Sequence, residues 1–341
     1  MDRRRWRPAK ELADAFVTLP FLGGLVVTAI VGTAFAAPTI ATLGDAPIRG
    51  MLWIAKDADP VQALGTVPTE CLRIPADHAL AAKIEVGRAA FRTPVLLGGQ
   101  AARAGINCET CHRNGRTNPD FLFPGISGAP GTADVTNSLF STHRGNGIDD
   151  PKPIPDLSGS KSKLKISQVP AEKKLAPFIH GLITEEFDGP EPTPAVLDGL
   201  ASYVRALNPV ACPAKARQLL TASLLIADAR RALNAAQAEL SLGDNATSIV
   251  MVASARSRLG LIDERYADPT LAKVRDDLRA ADRHLADIQH ALHDGQPEAS
   301  AKLAAWLEDC SRLESELTAH QPASLFNPAS LAAAVKRRLP G

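Results

Sequence analysis

The pentapeptide Cys108-Glu109-Thr110-Cys111-His112 constrains this chain more than any other stretch of it. Two cysteines three positions apart, with a histidine directly behind the second, put two thiols and an imidazole on one helical turn. At that spacing two thioethers can hold a porphyrin while the histidine ligates its iron. Two other readings compete for the same residues. Half a zinc site would need a second C-x-x-C or C-x-x-H pair, and the sequence has none. A thioredoxin-type redox pair would sit in a βαβ pattern, and none surrounds it. The motif occurs once, so the expectation is one covalent haem c on Cys108 and Cys111, with His112 as the proximal iron ligand.

The N-terminus fits a chain that leaves the cytoplasm, where such attachment takes place. Arg3, Arg4, Arg5, Arg7 and Lys10 precede an apolar run, and no charged residue occurs from Ala15 to Gly44. Ala34-Phe35-Ala36 supplies the small residues that signal peptidase needs, so 1–36 reads as a signal peptide. The rival is an uncleaved anchor over residues 15–37, since about 20 apolar residues span a bilayer. Either way the expected location is periplasmic, soluble or held at the inner membrane. The formal net charge is +1 in 341 residues, which gives no sign of a nucleic-acid partner.

Residues 37–70 show no sustained periodicity and read as a linker. "ADHALAAKIEVGRAAFR", 76–92, reads as a helix whose Gly87 shares the apolar face, where a missing side chain admits another backbone. The prolines between 93 and 195 are too dense for long regular elements. Phenylalanine and leucine nevertheless recur there, as in loop packed around something. "PAVLDGLASYVRALNP", 194–209, is a short helix ended by Asn208-Pro209. After 212 apolar residues are spaced 3,4,3,4 through Leu219–Leu240, Val252–Tyr266, Leu271–Leu292 and Leu303–Leu317, broken by turns at 243–245, 268–269 and 295–297. That period predicts helices packed along a seam, and the short loops predict antiparallel neighbours. Residues 328–338 read as a last helix. The expectation is an all-α chain: a loop-rich, class I-like cytochrome c domain at 71–212, then an antiparallel helical bundle at 213–341.

"GRAAF" at 87–91, "GINCETCHRNG" at 105–115, "DVTNSLF" at 134–140, "PIPDLSG" at 153–159 and "PFIHG" at 177–181 resemble one haem half of the bacterial di-haem cytochrome c peroxidases and their methylamine-utilisation relatives. The resemblance covers about 125 residues and implies a cytochrome c fold and haem binding. This chain departs from the family in three ways. It has one haem motif rather than two. Ile179 stands where the family block carries a methionine. No tryptophan or methionine lies between the motif and residue 212. Those departures point away from peroxidase turnover. His180 and His143 follow the motif in the same domain, and either is a candidate distal iron ligand; an iron with no protein ligand there is the third option. In a cytochrome c fold the terminal helices pack together, which would let Cys71 and Cys212 meet as a disulfide. His290 and His293, three apart on a helix, read as a solvated face.

The function expected is one-electron transfer by an exported mono-haem cytochrome, with a protein redox partner and the bundle used for docking or assembly. The alternatives are a peroxidase-like enzyme with an open sixth iron position, or a haem relay subunit of a membrane redox complex.

Overall fold

Asp59-Pro60 is a helix start signal, an N-cap followed by the residue whose missing N–H costs nothing at the first position. In the computed structural model, which describes residues 48–338, the Asp59 carboxylate accepts from the amides of Val61 and Gln62 and opens α1 (Pro60–Gly65). A 3₁₀ turn at Arg49–Trp53 precedes it. Strand β1 (Thr66–Pro68) follows, antiparallel to Arg217–Leu219. The linker expected over 37–70 is therefore corrected: its described part is ordered. Its strand partner lies some 150 residues downstream, so no local pattern could announce it. The leader or anchor expected over 1–36 lies outside the described residues. Among the described residues no helix is long and apolar enough to cross a membrane.

The middle of the chain is short elements joined by loops, as its prolines require. Helix α2 (His78–Ala90) is capped by Asp77. After it come α3 (Gly99–Ala104) and α4 (Cys108–Cys111). Two small antiparallel pairs follow: β2 (His112–Arg113) with β3 (Arg116–Thr117), and β4 (Thr132–Ala133) with β5 (Lys152–Pro153). Helix α5 (Leu175–Gly181) runs into a π-helical turn, and α6 (Pro194–Ala206) is capped by Thr193 with Pro194 at its first position. Helices α2 and α6 cross with backbones in contact at Gly87 and Gly199. A Cβ placed on Gly87 would sit 1.9 Å from the Gly199 carbonyl oxygen. Beside the crossing, Phe91 packs on Tyr203 with ring centroids 5.2 Å apart.

Strand β6 (Arg217–Leu219) leads to α7 (Ala222–Ser241), α8 (Asn245–Asp263), α9 (Ala272–His293) and α10 (Ala299–His320). Each of the four 3,4-spaced segments corresponds to one of these helices, although Leu219 lies in β6 and α8 begins at Asn245, well before Val252. Helix α7 packs on α8 and α10, and α9 packs on α8 and α10. Leu233, Leu259, Leu285 and Leu303 are fully buried between them. The chain is mostly helical, as expected. The boundary at 212/213 needs correcting, however. One continuous core runs from Ile84 to Phe326, and all described residues belong to one compact unit. Helices α7 and α8 pack directly on α2, so the C-terminal helices are not an appendage. The last helix, α11 (Pro328–Arg338), packs on α1 rather than joining the other four. Leu331 and Val335 form a small second core with Ile48 and Leu64.

Gly87→Ala is expected to cost about 3 kcal/mol, because its methyl meets backbone rather than a movable side chain. Equilibrium urea unfolding measures this; an unchanged midpoint would mean the two helices do not touch at this glycine pair.

Candidate functional site

Asn107 starts the turn that carries the motif. Its side chain accepts from the Thr110 amide at 3.0 Å, while the Thr110 hydroxyl accepts from the Asn107 amide at 3.1 Å, a reciprocal capping box. Asn118 closes the other end, its side chain donating to the Thr110 carbonyl at 2.9 Å and its amide to the Cys111 carbonyl at 3.0 Å. Cys108 and Cys111 sit on this single turn as free thiols, largely buried against the main core. Burial pushes both thiols up to about 12. A redox-active C-x-x-C pair needs the opposite shift, towards thiolate.

His112 begins the β2–β3 hairpin, whose turn is Asn114-Gly115 with φ of 50° and 75°. Both central residues have positive φ, as a two-residue hairpin turn requires. The hairpin grips the loop after β5. The Gly115 carbonyl accepts from Leu157 at 2.9 Å, Arg116 pairs with Asp156 at 2.8 Å, and the Thr117 hydroxyl donates to the Ile154 carbonyl at 3.0 Å. This places the Pro155 carbonyl 3.0 Å from His112 Nδ1. A carbonyl can only accept, so Nδ1 carries the proton and Nε2 is left as the lone-pair nitrogen. Nε2 has no hydrogen-bond partner among the described residues. Burial, opposed by that carbonyl, lowers His112 to about 4, so the ring is neutral and able to ligate at physiological pH. Two free thiols on one turn and an imidazole with one nitrogen tethered and the other free fit the covalent attachment and axial ligation of one haem.

Each of the two candidate distal histidines has a carboxylate beside it. His180, on α5, holds Nε2 2.9 Å from both carboxylate oxygens of Glu191. His143 is largely exposed, with Nε2 3.9 Å from Asp188. Ile179 is partly buried against the main core. A disulfide joins Cys71 and Cys212, with Cα atoms 4.1 Å apart, next to the β1–β6 pair. Cys310 is a buried free thiol, and His290 and His293 are exposed.

Glu109, the residue between the two cysteines, faces away from them into a buried ion network. Its carboxylate is 2.9 Å from Arg258 Nη1 on α8 and 3.3 Å from Arg92 Nε. Arg92 also reaches Glu70 at 3.0 Å, the Asn114 side chain at 2.7 Å and Asp228 of α7 at 3.8 Å. Tyr203 donates to Glu70 at 2.7 Å, and Arg88 pairs with the same carboxylate. Burial raises the Glu70 carboxyl, but Arg92, Arg88 and the Tyr203 hydroxyl outweigh it and leave it below its ordinary 4.5. Burial likewise raises Asp228, and Arg92, Arg231 and Arg258 bring it below its ordinary 3.8. None of these partners stands out in the sequence, because each lies far from its counterpart along the chain. The Asn-Gly pair behind His112 was a readable hairpin signal.

The chain matches no protein-family model, no curated protein and no solved structure.

Arg258→Met is expected to cost about 3–5 kcal/mol, since Glu109 keeps its charge inside the protein after losing one partner. Urea unfolding of the purified variant checks it. The lowered carboxyls also set an acid limit. Glu70 and Asp228 stabilise the fold above their ordinary values, and that stability drains away as pH falls through their depressed folded values. Thermal unfolding followed from pH 7 to pH 3 should show a falling midpoint below about pH 4.5, and Glu70→Gln should flatten that fall.

Proposed function

We propose that this chain is a mono-haem c-type cytochrome that passes single electrons to or from a partner protein outside the cytoplasm. Cys108 and Cys111 would hold the porphyrin and His112 Nε2 would take the iron; the group supplies one-electron chemistry when bound. The observation that carries the reading is the tether from His112 Nδ1 to the Pro155 carbonyl, which fixes tautomer and ring direction while leaving the second nitrogen free. The Asn107–Thr110 capping box holds the two thiols on one turn, and the Asn114-Gly115 hairpin aims the imidazole. On this reading the α2–α6 crossing belongs to a cytochrome c-like fold, and α7 to α10, packed on the same core, serve docking or assembly. The Cys71–Cys212 disulfide accords with an oxidising compartment, and hence with an exported, periplasmic chain.

A second reading has an observation of its own. His180 is engaged by Glu191 and His143 is exposed, so an iron on His112 would keep an open sixth position. An open position suits a peroxidase-like enzyme better than a carrier.

The pyridine haemochrome spectrum of protein made in a host that matures c-type cytochromes tests the shared claim. It should report one covalent haem per chain, lost in the Cys108→Ser, Cys111→Ser double variant; a colourless wild-type protein would sink both readings. His112→Ala should keep the porphyrin attached and lose the native Soret band. CO then separates the readings. A carrier closed by histidine binds CO only after His180→Ala or His143→Ala, whereas an enzyme binds it unaltered and consumes peroxide.

A further inference from the structure

Thirteen lysines occur in the chain, and five of them fall within fourteen residues: Lys161, Lys163, Lys165, Lys173 and Lys174. Between Asp156 and Glu185 the one carboxylate is Glu172. The chain as a whole balances at +1, so this segment gathers positive charge that the rest of the molecule offsets. Lys163, Lys165, Lys173 and Lys174 are exposed. Lys174 pairs with Glu172 at 2.8 Å, whereas Lys163, Lys165 and Lys173 have no carboxylate at ion-pair distance among the described residues. Glu186 acts on Lys165 from the π-helical turn but is itself buried, so it offers the surface no opposing charge.

The segment is held in a fixed frame beside the motif. It leaves from the Pro155 carbonyl that lies 3.0 Å from His112 Nδ1, and the Leu157 amide donates to the Gly115 carbonyl of the hairpin. The partly buried Lys161 ammonium donates to the carbonyls of Leu157 at 2.6 Å and Val204 of α6 at 2.9 Å. Arg205 of α6 donates to the Gln168 carbonyl at 3.1 Å, and Lys165 Nζ lies 5.8 Å from the ring centre of Phe178 on α5. The exposed lysines are therefore presented by a loop already ordered by the fold, which lowers the cost of binding anything to them. Midway along it Val169 is 51% exposed, with Pro170 and Ala171 exposed beside it. An apolar centre inside a polar rim is the make-up of a protein-binding face. Lys173 adds an observation of its own. Its φ of 52° and ψ of 24° lie in the left-handed region, which costs a lysine energy and which glycine takes freely. A lysine there burdens the fold and puts one more charge on the same loop.

We propose that the 157–174 loop is the face at which this protein meets its electron-exchange partner, and that the partner is a protein with an acidic surface. The proposal rests on the haem reading above, and it leaves the long helices for assembly. Strongly hydrated ammonium groups suit the task, because they attract an opposite charge at a distance and speed encounter. Charges spread along a loop around an apolar centre match an extended surface rather than a small anion.

Stopped-flow mixing of the oxidised, haem-loaded, full-length protein with reduced flavodoxin, an acidic one-electron carrier, tests this. The second-order rate should fall as salt rises. The Lys163→Glu, Lys165→Glu double variant should be about tenfold slower at low salt, with a flatter salt dependence. The Lys273→Glu, Lys302→Glu double variant makes the same change in net charge on α9 and α10 and should react like the parent. Lys173→Gly should slow the reaction while its unfolding midpoint holds or rises, which a merely structural role for Lys173 would not give. A colourless protein would mean that the haem reading has failed. A coloured protein overturns the docking face alone if its rate ignores salt, if both double variants are slowed equally, or if Lys173→Gly reacts like the parent. The face is a membrane contact instead, and the proposal wrong, if phosphatidylglycerol vesicles bind the parent and not the 163/165 variant while the two react equally with flavodoxin. The Lys173→Gly result decides the matter even if a charge-reversed variant fails to fold.

Discussion

Arg92 is the residue on which the arrangement turns. It sits just past the end of α2, almost wholly buried, and reaches carboxylates from three separate parts of the chain: Glu70 before α2, Glu109 on α4 and Asp228 on α7. Its main-chain carbonyl accepts from Asn107 and from Arg258, and its guanidinium lies 6.0 Å from the Tyr203 ring centre. A lysine could not do this, because only a planar fork donates to several acceptors at once. Taking such a charge out of water costs several kcal/mol, so the network is favourable only when every partner is in place. What it secures is register: one arrangement of α2, α4, α7 and α8 satisfies all the charges, and a slipped one strands some of them.

That network explains why the chain is one unit. Helix α8 is buried on two sides. Val252, Leu259 and Ile262 face the long helices, while Ser254 donates to the Ala89 carbonyl at 2.8 Å and Arg258 reaches Glu109. The two small cysteine-bearing ends, 71 and 212, are tied together at one margin of the same body. The 48–70 segment, with α11 against it, completes the surface beside α8.

The sequence was legible where the signal was local. The 3,4 spacing gave α7 to α10 as four helices, their ends less well, and Gly87 marked a close backbone approach. The Cys108–His112 motif announced the turn it sits on. The separateness of the last helices was misread for a specific reason: Ser254 and Arg258 are polar, a helix-period reading assigns polar residues to solvent, and these two are buried against α2 and α4. The 48–70 segment was missed because β1 finds its partner only at 217–219. At the site, Cys108, Cys111 and His112 could be picked out by type and spacing. Pro155 could not, since what it contributes is a carbonyl that every residue has.

The Cys71–Cys212 bond turns 142 residues into a covalent ring that contains the Cys108–His112 motif and both crossing helices. The most open part of that ring is Thr142–Asp150, exposed throughout. A protease that cuts there opens the ring without releasing a fragment. The two pieces stay joined by sulfur, by the α2–α6 contact and by Arg92's carboxylates, and the chain parts on a gel only after reduction. Damage in the exposed loop is thereby kept from becoming loss of the motif, and the loop is free to vary in length and composition without endangering what lies behind it.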